Sequence, residues 1–342
     1  MRRTYRSGPH TQETGFAVDD LLGLDAFLTP RARRLACLAG AYDSFGRAQR
    51  LLRELSGLSL ADETIRRLCH AEAERFDQTR DQRLNTAEQF ARTQGDWELQ
   101  IDAGKVNTET GWRDVKVAAF ARRERAKDVN PSDHEQRDLP APSVRSVVAA
   151  IETAEDFGVR CRAEADRIEL PSSEDLSILG DGAEWIWNLA ARRFDGAEQV
   201  LDVFHAGEYL ADLARAGFGE DSAESRRWLD DARAALVSDA WAGVCEFVVK
   251  DSERVPNRAA MEAAFPRVAN YLTGHRDRLG YALRLRRGQA IGSGLIEGAI
   301  KQEVGRRMKQ TGARWRSEHV GRLVQFRALA DGAEWDHYWA AA

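Results

Sequence analysis

The chain has 342 residues, 43% of them apolar, and a formal net charge of −5. That length accommodates two domains, or one domain carrying a large insertion. No apolar stretch approaches the roughly 18 residues that a membrane span needs. No signal peptide follows Met1-Arg2-Arg3-Thr4-Tyr5, and Cys37, Cys69, Cys161 and Cys245 form no CxxC pair. These features argue against a disulfide framework or a structural zinc site and lead to the expectation of a cytoplasmic location.

In chain order, residues 1–20 carry little pattern and read as a loose arm. From Thr29 to about Leu55, apolar residues recur at three and four (Leu35, Leu38, Ala39, Phe45, Ala48, Leu51, Leu52, Leu55), a helical period. Gly57 breaks it. Ser59 with Asp62 resembles a capping box, and Ile65, Leu68 and Cys69 continue a second face. Two helices joined by a glycine-containing turn fit a helix-turn-helix that would set Arg66 and Arg67 on DNA, and equally an ordinary helical hairpin. Residues 71–95 read as a long polar helix, so that 1–95 forms an N-terminal helical region.

At Trp97 the period changes. Leu99 and Ile101 alternate with polar residues, and Val115, Val117, Ala119 and Phe120 follow Gly111, a β-hairpin pattern. Residues 124–143 read as a charged loop, Val144–Ala154 as a strand or helix, Ser177–Leu179 as a buried strand, Ala183–Ala191 as a helix and Val200–Phe204 as another strand. This alternation defines an α/β protein with a mixed sheet over 96–207. Residues 208–284 are patterned as helix throughout and read as an insertion. The chain rejoins the sheet domain over 285–342, with long helices from Gly294 and about Ser317.

Two apolar runs, Trp97–Ile101 and Leu176–Gly180, each end in an aspartate, Asp102 and Asp181, and a glycine turn, Gly292-Ser293-Gly294, launches a helix with Glu297 in its first turn. Singly, each acid suits a turn or a helix start. Together they supply the hard oxygen ligands of a divalent metal site, and a pair of such ions about 3.5–4 Å apart is suited to cutting phosphodiesters. The cofactor expected is Mg2+ or Mn2+. Between Arg284 and Arg327 there are 11 Lys or Arg against 3 Glu, a local net of +8. Such a patch is an electrostatic footprint for phosphates. Lys301, Arg306, Arg307, Lys309 and Arg314 are its candidate contacts, and double-stranded DNA is the partner expected.

The segments resemble those of bacterial insertion-sequence transposases of the DDE class, most closely the ISKra group, related to Mutator-like transposases. The resemblance covers most of the chain. It is carried by Leu21-Leu22-Gly23, Ser44-Phe45 with Leu51–Leu55, Ile101-Asp102 with Gly111-Trp112-Arg113-Asp114-Val115-Lys116-Val117, and Gly180-Asp181-Gly182-Ala183 with Trp185-Ile186. Its most specific part is Gly292-Ser293-Gly294 with Glu297, Arg307-Met308-Lys309-Gln310 and Gly312-Ala313-Arg314-Trp315. It implies an RNase H-like fold, an acidic triad of Asp102, Asp181 and Glu297, metal-dependent cleavage of element ends, and transfer of the freed 3′-hydroxyl into target DNA. A homo-oligomer on DNA and a nucleoid-associated location follow from the same resemblance. Asp202-Val203-Phe204-His205 is similar to the Asp/Cys-x-x-His signature of Mutator-like enzymes, which implies a site role for His205. A catalytically retired DNA-binding derivative and an RNase H-like nuclease without strand transfer are the other readings.

Overall fold

The computed structural model describes residues 6–7, 14–15, 28–79, 84–220, 222–332 and 334–341. Leu21-Leu22-Gly23 and most of the expected N-terminal arm lie outside them. The chain divides into two compact units: 1–82, 106–113 and 302–342 form the first, and 83–105 and 114–301 the second. This grouping differs from the sequence-based division, which assigned all of 285–342 to the sheet domain.

In the first unit, β1 (Arg6–Ser7) and β2 (Thr14–Gly15) form a minimal antiparallel pair. Helices α1 (Pro30–Tyr42), α2 (Phe45–Ser56) and α3 (Asp62–Gln78) follow. The helical period read from Thr29 to Leu55 is two helices, because Asp43 is extended and Ser44 caps α2 through its hydroxyl. Gly57 ends α2 at φ +70°, a left-handed conformation that glycine adopts without strain.

The buried face of α1 is not the one the large apolar residues mark. Ala36, Cys37, Gly40 and Ala41 are buried, whereas Leu35 is exposed, as are Leu51 and Leu55 on α2. Small residues let the helices approach closely: a Cβ on Gly40 would sit 2.5 Å from Cys69 Sγ on α3. Ser59 is not the cap of α3; Ala61 stands there without a side-chain bond, and Asp62 and Glu63 occupy the first turn. C-terminal helices α12 (Ser317–Ala330) and α13 (Glu334–Ala341) complete this unit. Here α12 packs on α1 and α3, and Tyr338 Oη donates to the buried carboxylate of Glu72 at 2.6 Å.

The second unit is built on a five-stranded sheet of order β5-β4-β3-β6-β7. Its strands are β3 (Asp96–Thr108), β4 (Gly111–Arg123), β5 (Val144–Ala150), β6 (Leu176–Gly180) and β7 (Glu198–Leu201). Residues 106–113, the tip of the β3–β4 hairpin, group with the first unit. Strand β5 is antiparallel to β4, β6 is parallel to β3, and β7 is parallel to β6. Helices α4 (Leu84–Arg92), α5 (Ala154–Arg167) and α6 (Glu184–Arg193) flank the strands in sequence. The expected long polar helix over 71–95 is thus the end of α3 and a separate α4.

Residues after β7 are helical as read from the sequence: α7 (Val203–Phe218), α8 (Ala223–Asp251, kinked at Asp239–Ala240), α9 (Arg258–Gly274) and α10 (Tyr281–Arg286). Helix α7 starts at Val203, so the Val200–Phe204 strand is shorter than its apolar run. Their apolar faces share one core with the sheet, with Leu99, Ile101, Ile178, Leu210, Leu236 and Leu272 among its members. Helix α11 (Gly294–Ala299) then runs into a π-helical segment, Ile300–Arg306, a rare wide turn in place of the expected regular helix.

Candidate active site

Parallel pairing fixes where the acids lie. In the β3–β6 ladder Ile101 faces Gly180, and in the β6–β7 ladder Gly180 faces Leu201. The next residue on each chain is an aspartate: Asp102, Asp181 and Asp202. Asp102 is not at a strand end, as its sequence context implies, because β3 continues to Thr108; it marks the point where parallel pairing stops.

Asp181 accepts from the Ala183 amide at 2.9 Å, an Asx turn that opens α6. Gly182 takes φ +93° and lies against Tyr271, whose hydroxyl would be 2.2 Å from a Cβ there and donates to the Asp181 carbonyl at 3.1 Å. Burial among acidic neighbours raises the Tyr271 pKa, so the phenol remains a donor at neutral pH.

Asp202 is fully buried and joins three parts of the site. Its Oδ1 caps α7 by accepting from the His205 amide at 2.8 Å. Its Oδ2 accepts from both the amide and the hydroxyl of Ser293, the hydroxyl at 2.6 Å. Ser293 Oγ also lies 3.4 Å from Glu297 Oε1, and the Ile291 carbonyl accepts from Val203 at 3.1 Å. The glycine turn before α11 is therefore fastened to the start of α7.

A second fastening comes from β3. Gln100 is fully buried. Its Oε1 accepts from the Leu295 and Ile296 amides at 3.1 and 3.2 Å, satisfying donors that a helix start leaves open. Its Nε2 donates to Glu98 at 3.1 Å, and Glu98 pairs with buried Arg123 at 2.9 Å. The alternation read as one polar face of β3 is thus a buried polar relay. The polar residues face the interior and are satisfied there, which keeps their burial inexpensive. Gln100 does not stand out in the sequence as functional, and Ser293 enters only as part of the Gly292-Ser293-Gly294 turn. The available signal was a glutamine within a strand whose parallel neighbour is wholly apolar or small.

Burial first, then the charges of Asp181 and Glu297, raise the Asp102 carboxyl to about 6 against the opposing pull of the Ala103 amide and His205. Asp181, Glu297 and His205 thus lie within electrostatic reach of Asp102, all in the second unit. Among the described residues none of the three acids pairs with a lysine or arginine. His205 is partly exposed, with Nε2 3.9 Å from Glu208. Uncompensated carboxylate oxygens suit a hard divalent cation in kind. Among the described residues, however, no three His, Cys, Asp or Glu side chains converge to hold one ion. Carboxylate oxygens are the donor type such an ion takes, its remaining positions going to water and phosphate oxygens.

The expected DNA contacts separate by environment. Lys301, Arg306, Lys309 and Arg314 are exposed and have no carboxylate partner among the described residues. Arg307 does not belong with them. It is 2% exposed, donates to the Gly40 carbonyl at 3.0 Å and lies over the Phe45 and Trp315 rings. Desolvation lowers its pKa to about 10. It is a packing residue of the first unit, and Trp315, half-buried beneath it, packs likewise. Arg66 and Arg67 are accessible on α3, both engaged with Glu63; the pair of guanidiniums lowers the Glu63 pKa to about 2.

In comparisons with known proteins, no family model and no curated protein matches the chain. Among the described residues no helix is long and apolar enough to cross a membrane.

Proposed function

We propose that the protein is a DDE-type DNA transposase that cuts element ends and joins the freed 3′-hydroxyl to target DNA, with Asp102, Asp181 and Glu297 as its acidic triad. The observation that carries this reading is the uncompensated cluster: two aspartates follow register-matched residues of adjacent parallel strands, and a helical glutamate acts on the same carboxyl. The sheet supports an RNase H-like assignment. Its first strand, β3, is central, with the hairpin partner β4 and then β5 on one side and the parallel strands β6 and β7 on the other.

Asp102 and Asp181, with Glu297, are the residues that would hold Mg2+ or Mn2+; such ions supply Lewis acidity and neutralise charge developing on attacking and leaving oxygens. The chain's own part is alignment. Asp202 and Gln100 hold the α11 start, and with it Glu297, against the strands that carry the aspartates. His205, fixed at the backbone by Asp202, presents an accessible imidazole able to orient a phosphate or take a proton from water. Exposed Lys301 carries positive charge on the segment that follows α11.

The test is a search of the DNA flanking the coding region for inverted repeats, followed by a strand-transfer assay on duplex ends of that sequence. Wild-type protein is expected to nick and join in Mg2+ or Mn2+. Asp102→Asn, Asp181→Asn and Glu297→Gln are each expected to abolish both steps while keeping DNA affinity, and His205→Ala to slow them without unfolding the chain. Cleavage without joining would leave a nuclease. DNA binding without either step, in wild type, would leave a retired DNA-binding derivative.

A further inference from the structure

We infer that the tip of the β3–β4 hairpin is a nucleobase-stacking post, on which Trp112 stacks against an unpaired base of bound DNA while neighbouring cations hold the adjoining phosphates. This rests on the reading of the protein as one that acts on DNA, and goes beyond it by naming a second recognition surface, in the first unit, and the form of DNA it takes.

The chain has nine tryptophans, and Trp112 alone is exposed, at 63%. The others are buried or half-buried. An indole held in water by a fixed backbone has forgone the burial that its area would reward. The tip is not a loose loop. Thr108 Oγ1 donates to the Gly111 carbonyl at 2.7 Å, and Gly111 takes φ +98° to close the turn. The 313–315 segment is sewn to it: Thr108 bridges Trp315, the Glu109 amide donates to the Trp315 carbonyl at 2.9 Å, the Trp315 amide to the Asn107 carbonyl at 3.0 Å, and Asn107 Nδ2 to the Ala313 carbonyl at 3.3 Å. Trp315 is anchored in turn through Nε1 to the Met308 carbonyl at 3.0 Å. The post is therefore rigid before it meets a ligand, which limits the ordering cost of binding.

Its surroundings specify the ligand. Arg113, Lys309, Arg314 and Arg316 are exposed on the same stitched segments, against Glu109 and Glu318, the latter 4.0 Å from Arg316. Among the described residues, the other exposed large apolar side chains of this unit, Leu35, Tyr42, Leu51 and Leu55, belong to α1 and α2. A lone indole among cations lacks the contiguous apolar area of a protein-docking patch. It suits a π-face flanked by phosphates, the arrangement by which single-stranded nucleic acid is held. Bases inside a duplex offer only their edges, so the ligand is an unpaired base, at a gap, a frayed end or a single strand.

The experiment uses the full chain with labelled oligonucleotides of one sequence in three forms: single-stranded, blunt duplex, and duplex with a short central gap, each at several salt concentrations. Trp112→Ala is expected to weaken single-stranded and gapped binding roughly 5- to 150-fold, the range of one stacked base, with duplex binding within about twofold and the salt slope unchanged because the phosphate contacts remain. Trp112→Phe is expected to restore most of the lost affinity. Equal affinity of wild type and Trp112→Ala for gapped DNA would overturn the inference while leaving the transposase reading intact. So would a change in sedimentation behaviour without a change in DNA affinity, which would make the tip a self-association face. A wild-type protein that binds none of the three forms would overturn both readings together.

Discussion

Asp102 shows how one side chain reports on its surroundings. A carboxyl raised to about 6 is favoured in its protonated form by the folded state. Relative to an unfolded value of about 3.9, the folded chain therefore binds more protons between about pH 4 and 6, and stability falls as pH rises through that window. Above pH 6 the penalty is complete. In metal-free protein, Asp102→Asn is expected to raise stability by roughly 1–3 kcal/mol at pH 7–8, with the gain vanishing below about pH 4. Denaturant melts across that range check it; a pH-independent gain would mean that the carboxylate cluster is not the cause. Arg307 makes the complementary point. Sequence places it in a basic run, and only packing shows that it serves the first unit rather than phosphate. Arg307→Gln is expected to cost roughly 2–4 kcal/mol of stability, whereas Lys309→Gln with Arg314→Gln should leave stability nearly unchanged. That double variant should flatten the log–log salt dependence of DNA binding by up to about 2, roughly 0.9 per lost contact.

Among the elements, β3 does more than its length suggests. It carries Asp102 and, two residues earlier, the glutamine that anchors the helix bearing Glu297. Gln100→Leu removes the acceptor for two helix-start amides and is expected to destabilise the protein by roughly 1–3 kcal/mol. Gln100→Glu keeps an acceptor for those amides but replaces the donor to Glu98 with a second buried carboxylate, and should not restore the loss. If Gln100 acts through Glu297, the leucine variant should also need more Mn2+ for half-maximal cleavage at a temperature where it is fully folded. An unchanged metal requirement would reduce Gln100 to a stability residue. The strands themselves were largely legible: β6 read as a short apolar run ending in Asp181, as found, whereas β7 read as Val200–Phe204 and ends at Leu201, because Asp202 caps the next helix. The phase of α1 was not, because close helix approach selects Gly40 and its small neighbours over Leu35, a choice made by the partner helix rather than by periodicity. The buried face of β3 was hidden for a similar reason. Glu98 and Gln100 look solvent-facing until Arg123 and the α11 start supply their partners.

Across the whole molecule, residues distant in sequence define each unit. The second gathers Asp102, Asp181, His205 and Glu297 across an intervening run of helices whose apolar faces join the sheet's core. The first unites the N-terminal helices with α12, α13 and the hairpin tip, a grouping that composition alone could not reveal because Gln302–Ala342 continues the basic run that follows Glu297. The central claim is that divalent-cation binding by the second unit depends on Asp102, Asp181 and Glu297. The direct measurement is calorimetric titration of the metal-free full chain with Mn2+ at pH 7.5, wild type beside Asp102→Asn, Asp181→Asn and Glu297→Gln. Saturable binding by the wild type, with each single variant markedly weaker, is the expected result. A wild type that takes up no Mn2+ with or without bound DNA, or three variants that bind it as the wild type does, would contradict it.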